Sequence, residues 1–193
     1  MQAALERHYA LLDVLAPPVL VAPNLAVGFE LAASASKDLG YDETRLEVRS
    51  AAFRRAQESD GNADEAFAVA SKAVRADAFR VIRDHLCDRE RSAPWNWAAS
   101  PEVSAAWAAA MTNAGSSDPR VLRFGRVESA LIPALESGLG WYFPLRESLI
   151  VVPRPRMRFR EDWLVGPVLH AVDGPAVSWA DGFGIDFVDG LPQ

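Results

Sequence analysis

The chain has 193 residues, half of them hydrophobic and 24% charged, with a formal net charge of −6 at pH 7. This balance suits one globular domain rather than a disordered chain, and the acidic total argues against broad attraction to nucleic acid or anionic lipid. The single cysteine, Cys87, excludes an internal disulfide and a cysteine-based zinc site.

In chain order, the first element is a helix over residues 2–15, with Leu5, Tyr9, Leu12 and Leu15 on one stripe and Pro17-Pro18 as its stop. Glu6, Arg7, His8 and Asp13 interrupt its apolar run, so it does not read as a signal peptide. No later stretch has the uninterrupted length of a membrane span, and reduced cytosol is the expected compartment. Val19-Leu20-Val21-Ala22 reads as a short buried strand. Pro23 suits the first turn of a helix running to about Lys37 and closed by Gly40. Asp42 caps the next helix, with Leu46, Phe53 and Ala56 inward. Asn62 and Glu65 have capping-box spacing. The helix after them places Phe67, Ala70, Val74, Ala78, Val81 and Ile82 on one face, opposite Lys72, Arg75, Arg80 and Arg83. His8 and His85 read as helix-surface or helix-edge residues.

Cys87 to Ala99 reads as a loop carrying Trp95 and Trp97. Ser100-Pro101-Glu102 starts a helix with Val103, Trp107 and Met111 inward, and Asn113 to Asp118 is a turn. A further helix over residues 119–137 is bent or shortened at Pro133 and closed by Gly138-Leu139-Gly140. From Trp141 the period changes to two. Leu149-Ile150-Val151-Val152 is a strand, and Arg154 to Arg160, Val177 to Trp179 and Ile185 to Val188 alternate between turns rich in Gly and Asp. The expected fold class is therefore α+β: a helical N-terminal two-thirds packed with a small C-terminal antiparallel β-sheet. Residues 1–193 form a single domain, mainly helical over 1–138 and β-rich over 139–193.

Three constellations could carry function. His170, Asp173, Asp181, Asp186 and Asp189 crowd into one hairpin region. A histidine beside Asp173 or Glu147 could act as an acid–base pair, although Asp173-Gly174 and Asp181-Gly182 equally suit backbone turns. Arg154, Arg156, Arg158 and Arg160 alternate with Pro155, Met157 and Phe159, which on a strand puts four guanidiniums on one face. Such a row repels itself unless acids face it, from this chain or from a carboxylate or phosphate partner. Arg120, Arg123 and Arg126 make residues 120–160 locally basic within an acidic protein. Trp95, Trp97, Trp141, Tyr142 and Trp163 supply aromatic surface or core. No dinucleotide, phosphate-loop, Gly-x-Ser-x-Gly, His-Glu-x-x-His or paired-cysteine pattern is present, so no cofactor and no metal are expected.

Several of these residues together resemble a known family. Gly140-Trp141-Tyr142-Phe143-Pro144, Glu147, Ile150-Val151-Val152, Leu169-His170, Asp173-Gly174-Pro175-Ala176-Val177, Asp181-Gly182 and Gly190-Leu191-Pro192 are the quoted segments. They resemble an uncharacterised bacterial domain of unknown function marked by Gly-Trp-Trp-x-Pro, Leu-His-x-x-x-Gly-Pro-Ala and Asp-Gly motifs. Where that family usually carries a Trp-His-Gly triplet, this chain has Val188-Asp189-Gly190. The resemblance implies a fold neighbourhood and no activity.

The leading expectation is a cytosolic interaction or regulatory module. Its partner is a protein or peptide, acidic in character, held by the C-terminal sheet, the tryptophan loop and Trp141. The rival is a small enzyme using His170 as acid–base, with Arg156 or Arg158 on an anionic substrate. A third reading is nucleic-acid binding through the arginine strand, which the acidic total disfavours.

Overall fold

A computed structural model describes residues 1–39, 68–70, 76–86, 100–113 and 119–193. The helix expected after Asp42, the capping pair Asn62 and Glu65, Cys87, and the loop with Trp95 and Trp97 lie outside the described residues.

Helix α1 (Gln2–Leu11) is shorter than its apolar stripe suggests. Asp13 takes a left-handed conformation (φ 61°), and the Val14 amide returns to the Tyr9 carbonyl, closing the helix ahead of Pro17. Leu15 is consequently 90% exposed. His8, expected at the surface, is buried, with Nδ1 2.9 Å from the Val127 carbonyl oxygen. Strand β1 (Val19–Val21) lies at a sheet edge, so Leu20 and Val21 are exposed rather than buried.

Helix α2 (Leu25–Leu39) is capped by Asn24, whose Oδ1 accepts the Val27 amide at 3.0 Å. Helix α3 (Ala76–Leu86) buries Phe79 and Ile82, whereas Val81 turns outward. Helix α4 (Pro101–Asn113) buries Ala106, Ala108 and Ala110 together with Glu102. The expected helix over 119–137 is two: α5 (Pro119–Ser129) and α6 (Ile132–Glu136), with Pro133 in the first turn of the second.

The principal sheet has the order β1-β3-β2, with β2 Leu139–Pro144 and β3 Leu149–Pro153. β1 runs parallel to β3, pairing Val19 with Leu149 and Val21 with Val151, and β2 runs antiparallel to it. The remaining strands are β4 (Arg156–Met157), β5 (Phe159–Asp162), β6 (Gly166–Leu169), β7 (Val177–Ser178), β8 (Gly184–Ile185), β9 (Phe187–Val188) and β10 (Leu191–Pro192). They form a β4-β7-β8 sheet and the hairpins β5-β6 and β9-β10.

The expected architecture is thereby overturned. Among the described residues ten strands divide among four small sheets instead of building one, and the principal sheet is mixed because an N-terminal strand enters it. Among the described residues the helices do not form a separate body, since α1, α2 and α3 pack directly on the principal sheet. Parallel pairing of β1 with β3 joins segments far apart in sequence, and alternation within one segment cannot specify such a neighbour.

The principal sheet separates two apolar layers. Along β3, Ile150 and Val152 face one side, and Leu149 and Val151 the other. The first side packs on Phe29 of α2, Phe79 and Ile82 of α3, and Leu169, Val177, Trp179 and Phe187 of the C-terminal strands. The second packs on Leu5 and Tyr9 of α1 and on Leu131 and Ala134. A register shift between Leu139 and Trp141 lets these two odd-numbered residues occupy opposite layers. With both faces covered, β2 and β3 are continuous apolar runs.

Candidate functional site

Residues 154–162 form an extended segment whose period of two holds as the sequence predicts. Arg154, Arg156, Arg158 and Arg160 are exposed, Pro155 is buried, and Met157 and Phe159 pack on the first core layer. Its first half pairs with β7 and its second with β6, and the two ladders are joined where the Arg158 amide bonds the Ala176 carbonyl and the His170 amide bonds the Arg158 carbonyl. Because Phe159 opposes Leu169, His170 stands across from Arg158 on the guanidinium side.

The acids that face the arginines come mostly from the chain itself. Arg158 donates to the Asp173 carboxylate and also to the Asp173 carbonyl oxygen at 3.2 Å. The hydrogen bond from Arg158, followed by its charge, holds the Asp173 carboxyl below the usual range. Arg160 Nη1 lies 2.9 Å from Asp189 Oδ1, with Asp162 a further 3.8 Å contact. Arg154 sits 3.7 Å from Glu102 Oε1 and over the Phe79 ring. Arg156 has no hydrogen-bond or ion-pair partner among the described residues.

Asp189 also meets His170. The imidazole Nδ1 is 2.8 Å from the Asp189 carboxylate and 3.1 Å from the Asp189 amide nitrogen. These contacts exclude one another in any single protonation state: an unprotonated Nδ1 accepts the amide hydrogen, whereas a protonated one donates to the carboxylate. Asp189 and Gly190 form the two-residue loop between β9 and β10, and both have positive φ (54° and 81°), as a type I′ turn requires. The turn aims the carboxylate between Arg160 and His170.

The acid–base partners expected from sequence are therefore replaced. Asp173 is engaged by Arg158, and Glu147 stands exposed between β2 and β3 without a hydrogen-bond or ion-pair partner among the described residues. Asp181 accepts the Phe183 amide through Oδ1 and Asn24 Nδ2 at 2.6 Å through Oδ2, tying the α2 cap to a β-turn. Asp186 is exposed. Trp141, expected as a binding residue, is 0% exposed and packs on Phe79 and Trp179, so it belongs to the core. Tyr142 is buried as well. Among the described residues no group of three or more His, Cys, Asp or Glu side chains is placed to hold a metal, and no helix is long and apolar enough to cross a membrane.

Among the described residues the large aromatic that faces solvent is Trp163. It leads the tip of the β5–β6 hairpin, where Trp163, Leu164 and Val165 are 89%, 71% and 74% exposed. Asp162 Oδ1 accepts the amides of Leu164 at 2.9 Å and Val165 at 3.2 Å, and Gly166 supplies φ 85° at the return. Those two amides, then Arg160, hold the Asp162 carboxyl below its ordinary range and keep it charged. The tip is an apolar triplet on a pinned turn. Its sequence signal was three apolar residues bracketed by Asp162 and Gly166, between two segments of strand pattern. A second site left out of the sequence reading is Glu102, 1% exposed, with Oε2 accepting the Ser100 hydroxyl and Oε1 without a hydrogen-bond partner among the described residues. Burial raises its pKa to about 7, against smaller lowering effects from Ser100, its own backbone and Arg154.

The chain matches no family model, no curated protein and no solved structure.

Proposed function

We propose that the chain is a cytosolic recognition module that binds a protein or peptide partner on its C-terminal β surface. The Trp163–Val165 tip acts as the apolar anchor, and Arg156, further back along the same extended segment, meets acidic groups elsewhere on that surface. The observation that carries this reading is the exposure of three consecutive apolar side chains on a hairpin tip whose backbone is already fixed by Asp162. A preorganised tip loses little conformational freedom on docking, and a buried tryptophan is among the commonest sources of interface energy. The expected loss on truncating such an anchor is at least about 2 kcal/mol, or roughly thirtyfold in affinity.

The test is capture from native lysate by the wild type, Trp163→Ser and Arg156→Glu, with folding checked by circular dichroism. Trp163→Ser should lose the partner, and Arg156→Glu should weaken it in a salt-dependent manner. Equal recovery by all three proteins would refute the assignment of this surface.

A second reading, acid–base chemistry at His170, is favoured by the 2.8 Å approach of Nδ1 to Asp189. Its partner is then Asp189, with Arg160 holding that carboxylate. His170→Ala would abolish turnover while leaving unfolding unchanged; a variant that only lowers stability would return His170 to a structural role. Nucleic-acid binding gains least, because Arg158 and Arg160 are each matched by a carboxylate of the same chain.

A further inference from the structure

We infer that this chain associates with a second copy of itself head to tail, the Trp163–Val165 tip of one copy seating in a groove between α1, α5 and α6 of the next. The inference rests on the reading that the tip is a docking element, and it names the partner.

The receiving surface is an open depression of about 460 Å³ lined by Ala4, Leu11, Ala130 and Pro133, with the exposed Arg7 and Arg126 at its rim. Its volume lies in the range that encloses a compact apolar group. Both rim guanidiniums are exposed and have no hydrogen-bond or ion-pair partner among the described residues. The tip carries the complementary charge. Glu161, two residues before Trp163, is exposed and likewise unpaired among the described residues, and Asp162 adds a carboxylate held in its charged form. An apolar knob with an acidic collar thus faces an apolar hollow with a basic rim.

Topology forbids the contact within one copy. The groove belongs to α1 and α6, which cover one side of the principal sheet, with α5 beside them. The β5–β6 hairpin extends from strands that pack on the other side. A contact between unlike surfaces on opposite faces is heterologous, so each added copy presents a fresh tip and a fresh groove. Growth continues until the rotation closes a ring, or proceeds as an open chain.

Sedimentation equilibrium of the full chain tests this directly. The weight-average mass of the wild type should rise from 21.0 kDa to at least a dimer as concentration approaches about 1 mM. Trp163→Ser lacks the knob, and the double variant Arg7→Glu, Arg126→Glu lacks the basic rim; all three positions are exposed, so both proteins should fold and stay monomeric. Mixed one to one, they should form a dimer and nothing larger, because the rim variant's intact tip can enter the knobless variant's intact groove and no further site remains. A wild type that is monomeric at about 1 mM overturns the inference, as does association that survives in either variant or a mixture that does not pair. A monomer whose Trp163 emission shifts on phosphatidylcholine–phosphatidylglycerol vesicles also overturns it, and assigns the tip to lipid. A monomer that still captures a different protein through Trp163 overturns self-association while leaving the recognition reading intact.

Discussion

Replacing Glu102 with Gln should stabilise the protein at neutral and alkaline pH and leave it almost unchanged in mild acid. The carboxyl is 1% exposed and donates no charge to a close ion pair, since Arg154 Nε stands 3.7 Å away on a side chain that is 42% exposed. Its position in the first turn of α4 favours a negative charge, yet burial dominates and lifts the pKa from 4.5 to about 7. In the unfolded chain the group ionises near its ordinary value, whereas the folded protein retains the proton. The folded state therefore binds more protons between those two values, and stability falls as pH rises through that window. At 1.36 kcal/mol per pKa unit the rise corresponds to a ceiling of about 3 kcal/mol. Glu102→Gln preserves the volume and an acceptor for Ser100, but cannot ionise. Urea unfolding of both proteins should give nearly equal free energies at about pH 4 and an advantage for the variant approaching about 3 kcal/mol at about pH 8. A difference that is constant with pH would refute the argument, because it would show that ionisation of Glu102 is not what the fold opposes.

Gly28→Ala should destabilise by about 1–3 kcal/mol despite the better helix propensity of alanine, since its Cβ would stand 2.8 Å from Val152 Cγ2 and 2.9 Å from Phe143 Cε2. An unchanged or higher melting temperature would show that α2 is not seated on the sheet at that distance. Asn24→Ala removes both the cap on α2 and the 2.6 Å bond to Asp181, and should cost about 2 kcal/mol in urea unfolding. A variant as stable as the wild type would show that this tie between the N-terminal helix and the C-terminal turn contributes nothing.

What the sequence revealed follows the range over which each cause acts. The alternation from Arg154 to Arg160 is set by the geometry of a single strand, so the outward guanidiniums and the inward Pro155, Met157 and Phe159 were readable in advance. The turns at Asp173-Gly174 and Asp181-Gly182 were readable for the same reason: positive φ at Gly174 and Gly182 is a local demand. Partnership is not local. That Asp189, rather than Asp173, meets His170 depends on how the β9–β10 hairpin docks against the end of β6, through the Gly190 amide on the Leu169 carbonyl. The parallel seat of β1 was hidden for the same reason, and so was the burial of Glu102, which as a first-turn acid reads as an ordinary surface residue. Trp141 failed as a binding candidate because its neighbours Phe79 and Trp179 converge from distant segments.

Folding alone does not account for the exposed tip of the β5–β6 hairpin. Among the described residues Trp141, Phe143 and Phe187 on strands, and Trp179 just after β7, are drawn into the core, so large aromatics there are buried where the topology allows. A β-turn between Asp162 and Gly166 needs an acceptor for two amides and a residue tolerant of positive φ; it has no need of Trp, Leu and Val between them. Polar residues would support the same backbone with less exposed apolar area and a lower aggregation hazard. The arginines differ, because Arg158 and Arg160 are balanced by Asp173 and Asp189 and so tie the C-terminal strands together. The tip is an element whose composition the described fold does not require, and such departures from local consistency concentrate where a protein meets something else.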